Sequence, residues 1–228
     1  MPRPLRIGVG EMVYHVHNRA NGRMQIFSRG GDYAAFEQVL IEARERVRMR
    51  VLACCLMPNH WHLVLWPYLD GDLTSFVSWL TMTHAQRWHV YHGTVGSGHL
   101  YQGRFKASPV ETDDHFLMLC RYVERNALRA NLVGRAEDWR WCSLWHRERR
   151  DSLARQLLSE WPVERPSNWV AWVNETQTTQ ELQAIRASLA RGRPYGSESW
   201  RETVCSQLGL VFSPHPRGRP KKMAPDPI

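Results

Sequence analysis

Lysine is almost missing from this chain. Of its 228 residues only Lys106, Lys221 and Lys222 are lysines, against 27 arginines, and the formal net charge is +8. A surface built for solubility alone uses both cations. Arginine's planar fork pairs bidentately with phosphate and stacks on bases, which an ammonium does poorly. Long apolar runs are missing too: none approaches the roughly 18 residues of a membrane span, and mean hydropathy is −0.48. The N-terminus carries charge without an apolar stretch, so no secretory signal peptide is expected. The five cysteines (54, 55, 120, 142 and 205) form no Cys-x-x-Cys pair. That argues against a disulfide framework or structural zinc, and for reduced thiols in a cytoplasm.

What is abundant narrows the class further. Apolar residues at 43% and charged residues at 23% exclude disorder for the whole chain. Eleven tryptophans offer stacking surfaces beside the arginines, a combination that points to nucleic acid. A GC-rich genome and a tryptophan-rich core would give the same composition.

The length fits one large domain with at most a small appendage. Periodicity predicts a strand over 12–17, a helix over 33–47 with Asp32 as N-cap, and strands over 51–57 and 60–66 parted by Pro58 and Asn59. A second helix over 73–91, capped by Asp72 or Thr74, a strand over 105–111 and a third helix from Thr112 to about Arg129 follow. This order is that of an α+β split βαβ sandwich, an antiparallel sheet with helices on one face, occupying residues 11–135. Residues 136–212 read as a helical C-terminal extension: a short helix over 139–149, a Pro- and Trp-rich linker over 159–170, and helices over 181–190 and 199–207. Ser199 and Glu202 suit a capping box for the last helix and Gly209 its stop. From residue 213 the chain is proline-rich and basic, a tail expected to be disordered without a partner.

The sharpest local pattern is His60, Trp61, His62. On a strand, residues i and i+2 share a face, so both imidazoles point one way, roughly 6–7 Å apart, while Trp61, Leu63 and Leu65 point into a core. Such a pair can bind one divalent ion, or can be two buried, hydrogen-bonded histidines. His15 and His17 repeat the pattern on the first strand, and spacing alone does not separate the two. On the third helix Phe116, Leu119, Cys120, Val123 and Ala127 form an apolar stripe. Tyr122 and Asn126 lie four apart on its flank, with Arg129 one turn further. Tyr122 is a candidate nucleophile or a boundary residue, and Asn126, a poor helix former, offers a side-chain oxygen. The tetrapeptide Arg-Gly-Arg-Pro occurs at 191–194 and 217–220. Arg191, Arg193, Arg217 and Arg219 are thus candidate minor-groove contacts, or parts of a capping loop and a solvated tail.

Four segments, 14–19, 57–65, 101–106 and 121–129, together resemble the HUH-type single-strand transposases, and more closely the REP-associated tyrosine transposases, over residues 11–145. The resemblance implies a ferredoxin-like fold, His60 and His62 as metal ligands with Asn126 as the third, and Tyr122 as nucleophile. It implies Mg²⁺ or Mn²⁺ as cofactor and cleavage and rejoining of single-stranded DNA beside REP-type hairpins through a 5′-phosphotyrosine. Arg104, Lys106, Arg121, Arg125 and Arg129 become candidate DNA-backbone contacts. Two departures stand out: Asn126-Ala127 replaces the family's Asn-Pro, and His17 stands where relatives carry a small polar residue, which makes the first His-x-His a decoy. In REP-associated relatives a similar C-terminal tail follows the transposase domain, and that resemblance implies involvement in hairpin recognition or active-site control. The competing readings are a catalytically silent, domesticated DNA-binding regulator and a nuclease that hydrolyses with metal-bound water. The joint presence of His60, His62, Tyr122 and Asn126 argues against loss of activity. A cytoplasmic, nucleoid-associated protein without membrane contact is expected, with the extension suiting a monomer and a dimer as the alternative.

Overall fold

In the computed structural model residues 8–210 are described, and Arg217, Arg219 and the rest of the basic tail lie outside them, as does the side chain of Arg191. The elements are β1 (Val13–Arg19), α1 (Gly30–Arg46), β2 (Met49–Met57), β3 (His60–Pro67), α2 (Asp72–Tyr91), β4 (Lys106–Val110), α3 (Asp114–Glu124) and α4 (Asn126–Arg129). The strands form one sheet in the order β2-β3-β1-β4, each neighbour antiparallel. This is the expected α+β fold. Among the described residues no helix is long and apolar enough to cross a membrane.

Alternation along the strands sorts two cores. Tyr14, Val16, Cys54, Leu56, Trp61, Leu63 and Leu65 pack against Phe36, Val39 and Leu40 of α1 and Phe76, Val77 and Leu80 of α2. Residues of the other parity, Val13, Cys55, Met57, Val64 and Val110, meet Phe116, Leu119, Cys120 and Val123 of α3. Helices therefore cover both faces, where one was expected. The signal lay in β2, whose residues from Val51 to Met57 are all buried: an unbroken apolar run belongs to a strand covered on two sides.

Helix ends moved for identifiable reasons. Asp32 is not the cap of α1 but its third residue, and its carboxylate accepts from the Ser28 and Arg29 amides at 2.9 Å. The single helix expected up to Arg129 is broken at Arg125, which leaves Asn126 to open α4. The turn between β2 and β3 is held from outside: the Pro58 carbonyl accepts from the amides of Ile26 and Phe27, and the Asn59 carbonyl from that of Ala20.

Beyond residue 130 come α5 (Ser143–Arg149), α6 (Ser152–Leu157), α7 (Trp169–Asn174), α8 (Thr179–Arg191) and α9 (Glu198–Gln207). The stretch 159–170 is packed structure and not a linker. Trp161 donates to the Leu52 carbonyl at 2.7 Å, and the buried Trp169 donates to Glu124 Oε2 at 2.7 Å. An indole buries a large apolar body and asks for one acceptor, so tryptophan beside proline signalled docking. The capping box sits on α8, between Thr178 and Glu181. Ser197 caps α9, in place of the expected Ser199 and Glu202 pair. After α8 the chain runs beside β4, where Tyr195 and Pro109 share a backbone hydrogen bond of 2.8 Å. Ile185 and Leu189 of α8 join the α3 core.

Candidate active site

Register decides what spacing left open. In the β1–β3 ladder His17 stands opposite His62 and Arg19 opposite His60, and directly opposed residues share a face. The two His-x-His motifs are one cluster. Ring centroids lie 5.1 Å apart for His60 and His62, 5.7 Å for His17 and His62, and 5.0 Å for His15 and His62. His15 and His17 are thus no remote decoy. The signal that could have found them was the antiparallel pairing of two strands carrying the same motif.

Burial keeps these rings neutral. It pushes His15 and His62 well below the ordinary histidine value, with neighbouring rings adding to the effect. His17 is lowered to about 4 by burial and then by Lys106 and Arg19. His60 is also lowered to about 4, by burial and then by Arg19, His17 and Arg129. His60 Nδ1 lies 2.7 Å from Asn59 Oδ1. An amide oxygen only accepts, so Nδ1 carries the proton and Nε2 is left as a lone pair. His62 Nδ1 lies 2.9 Å from His15 Nε2. With Nδ1 engaged on both, Nε2 is the atom through which each ring can meet a ligand. Two neutral imidazoles on one face fit a divalent cation.

Tyr122 comes to the same place from α3. Its buried ring is edge-on to His62 at 5.9 Å and to His15 at 6.2 Å. The Arg129 guanidinium lies 4.2 Å from the Tyr122 ring centroid. It also donates to Asn126 Oδ1 and, at 3.4 Å, to Gln177 Oε1. Asn126 Nδ2 donates to the carbonyls of Tyr122 and Val123, both at 3.3 Å. Asn126 thus closes the end of α3, and its oxygen, expected at a metal, faces Arg129.

A cavity of about 650 Å³ joins His17, His60, His62, Tyr122 and Asn126 to Arg19, Arg104, Lys106, Arg129 and Arg186. Among the described residues none of its lining side chains is a carboxylate, so the charge of the lining suits an anion. Arg19 and Arg186 were not singled out from sequence. Arg19 ends a strand in one of the four resembling segments, whereas Arg186 arrives from α8, and no local signal marks it.

Arg121 and Arg125, expected at DNA, are not brought to the cavity. Arg121 is 3% exposed, donates to the carbonyls of Trp172 and Glu175 at 2.8 and 3.0 Å and pairs with Glu181 at 3.5 Å. Arg125 donates to the Glu175 carbonyl at 2.7 Å. Both tie the α7–α8 connection to α3. Arg193 follows α8 and shares backbone-mediated bonds with Ser188. A second group able to hold a cation, Glu111, Asp113 and His115, lies at the start of α3. There Asp113 accepts from the His115 amide and Glu111 from that of Ser197.

Residues 9–126, more than half of the chain, match the profile of the family described as Transposase IS200 like. A solved structure of a REP-associated tyrosine transposase bound to a REP hairpin aligns with a TM-score of 0.54 at 16% identity, covering 78% of this chain and 100% of the other. A candidate transposase from Deinococcus radiodurans R1 aligns with a TM-score of 0.40 at 18% identity, covering 54% of this chain and 96% of that one. No curated protein sequence matches significantly.

Proposed function

Because the chain belongs to the IS200-like transposase family, we propose that it cleaves and rejoins single-stranded DNA beside REP-type hairpins through Tyr122. The observation that carries this reading is the placement of the Tyr122 ring edge-on to His62 in a cavity lined by five cations. In the forward step the Tyr122 oxygen bonds to phosphorus and the P–O3′ bond breaks. The phenol gives up its proton, and the departing 3′ oxygen gains one. The resulting 5′-phosphotyrosine keeps the bond energy, and because a phenolate with a pKa near ~10 leaves readily, a 3′-hydroxyl can reverse the step without ATP.

His60 and His62 are the donors in this reading for Mg²⁺ or Mn²⁺, which when bound stabilises charge on the non-bridging phosphate oxygens. Asn126 is the third donor once Arg129 turns from its oxygen to phosphate. Arg19, Arg104, Lys106 and Arg186 orient the backbone. Residues 11–135 form the catalytic unit and 136–212 an extension that supplies Arg186. The natural setting is nucleoid DNA in the cytoplasm, with the chain acting as a monomer or a dimer.

Labelled hairpin-flanked single-stranded DNA, Mn²⁺ and a denaturing gel test the proposal. A shifted band that survives denaturation and is lost in Tyr122→Phe supports it; cleavage undiminished in that variant means hydrolysis by water. One observation favours a second reading: Arg129 covers Tyr122 and holds the Asn126 oxygen, as in a binder that no longer cuts. Tight hairpin binding without an adduct at any metal would favour that regulator.

A further inference from the structure

We propose that His15 is a positioning residue, holding His62 in the tautomer that presents its Nε2 lone pair to the cavity. The inference rests on the cation reading above. His15 is buried behind His62, between the sheet and α3, with its Nε2 2.9 Å from His62 Nδ1. It does not line the cavity, and its hydrogen bond to His62 links it to the residues that do.

Two neutral rings joined nitrogen to nitrogen share one proton in that bond, and which nitrogen carries it sets what the far side offers. If His62 Nδ1 donates, its Nε2 is a lone pair. If His15 Nε2 donates, His62 shows the cavity an N–H. The surroundings choose between them. Arg19, Arg104, Lys106, Arg129 and Arg186 all reach the cavity, and each brings donors and positive charge only. An N–H aimed among them is repelled, whereas a lone pair is welcomed.

His60 shows the same outcome by another route, since Asn59 Oδ1 accepts from its Nδ1. The two imidazoles are thus set alike, one by an amide in the β2–β3 turn and the other by a ring on the adjacent strand. A free histidine side chain in water favours the Nε2–H form. His62 therefore needs a partner for its Nδ1 proton, and that partner is the histidine read from sequence as a decoy. Partners of this kind orient metal-binding imidazoles, and losing one lowers metal affinity by about 10–100-fold.

The test uses the full chain labelled with ¹⁵N-histidine. Long-range ¹H–¹⁵N correlation at neutral pH reads the tautomer of each ring, with His62→Gln to assign the signal. The expected result is Nδ1–H for His62 in the wild type and in His15→Gln, which keeps an acceptor. In His15→Leu the expected form is Nε2–H, with Mn²⁺ Kd, read from Mn²⁺ electron spin resonance, raised about 10–100-fold and unchanged near-ultraviolet dichroism. An Nε2–H signal for His62 in the wild type overturns the proposal, as does an unaltered Mn²⁺ Kd in folded His15→Leu. Should His15→Leu fail to fold, the wild-type spectrum and His15→Gln still decide. A wild-type chain that binds no Mn²⁺ while showing Nδ1–H on His62 refutes the cation reading and upholds the tautomer assignment.

Discussion

Acid should unfold the metal-free protein well above the carboxylate range, because several histidines are buried in a form that refuses a proton. His84, on α2, does not line the cavity. Tyr101 accepts from Trp61 Nε1 at 3.1 Å, and its hydroxyl lies 2.7 Å from His84 Nδ1, so the ring accepts at that nitrogen. Burial lowers His84 to about 3, and His17 and His60 to about 4. An unfolded histidine titrates near ~6.5. The folded values lie below the unfolded ones, so the unfolded chain takes up protons that the folded chain excludes. Stability is full above about pH 6.5 and is lost as pH falls towards the folded values. At pH 5 each of the three costs about 2 kcal/mol, together about 6 kcal/mol, against a total of roughly 5–15 kcal/mol for a typical domain. The slope there approaches three protons, about 4 kcal/mol per pH unit. His15 and His62 act in the same direction. Urea unfolding followed by tryptophan fluorescence with a chelator, at steps from pH 8 to pH 5, measures the loss. His84→Gln should remove about 2 kcal/mol of it. An unfolding free energy flat to within about 1 kcal/mol over that range would refute the reasoning.

The candidate site carries further expectations. Tyr122→Phe should abolish the covalent adduct while leaving hairpin affinity within a few-fold, as read by gel shift. His60→Ala should suppress cleavage at every Mg²⁺ or Mn²⁺ concentration. Arg121→Ala and Arg104→Ala should part ways. The first removes the buried guanidinium that donates to the carbonyls of Trp172 and Glu175 and pairs with Glu181, and should cost about 2–4 kcal/mol of stability in urea. The second should leave stability unchanged and reduce the salt slope of DNA binding by about one. Deleting residues 213–228 should flatten that slope by about one unit per lost phosphate contact, and an unchanged slope would mean that the tail does not touch DNA.

Much of this molecule was legible from residue pattern. Period-two alternation placed His60 and His62 on the face opposite Trp61 and Leu63, and the stripe of Phe116, Leu119, Cys120 and Val123 put Tyr122 on the flank of α3. What escaped was information held between segments. The meeting of His17 with His62 depends on strand register, and Arg186 reaches the cavity only because α8 docks beside β4. Arg121 and Arg125 look like phosphate ligands by composition, yet the carbonyls of residues 172–175 claim them first. A cation's partner cannot be read from its own neighbours in sequence. The Trp-rich stretch misled for a related reason: proline and tryptophan suggested a free connector, while Glu124, buried on α3 and accepting from Ser143 and Trp169, needed exactly such a donor from afar.

The clamp on the β2–β3 turn has an evolutionary consequence. Residues 20–27 hold Pro58 and Asn59 through main-chain atoms, and even Asn59 Nδ2 reaches the backbone carbonyl of Arg23. The exposed side chains of residues 21–25 can therefore drift with little effect on His60, which Asn59 orients, whereas Ala20, Ile26 and Phe27 are buried in the core. Among those exposed residues Gly22, at a φ of 59°, resists change. Insertions and deletions are another matter, since one residue more or less would shift the whole set of carbonyls and amides. In related chains the exposed middle of this loop should vary freely in letters, and the whole loop hardly at all in length.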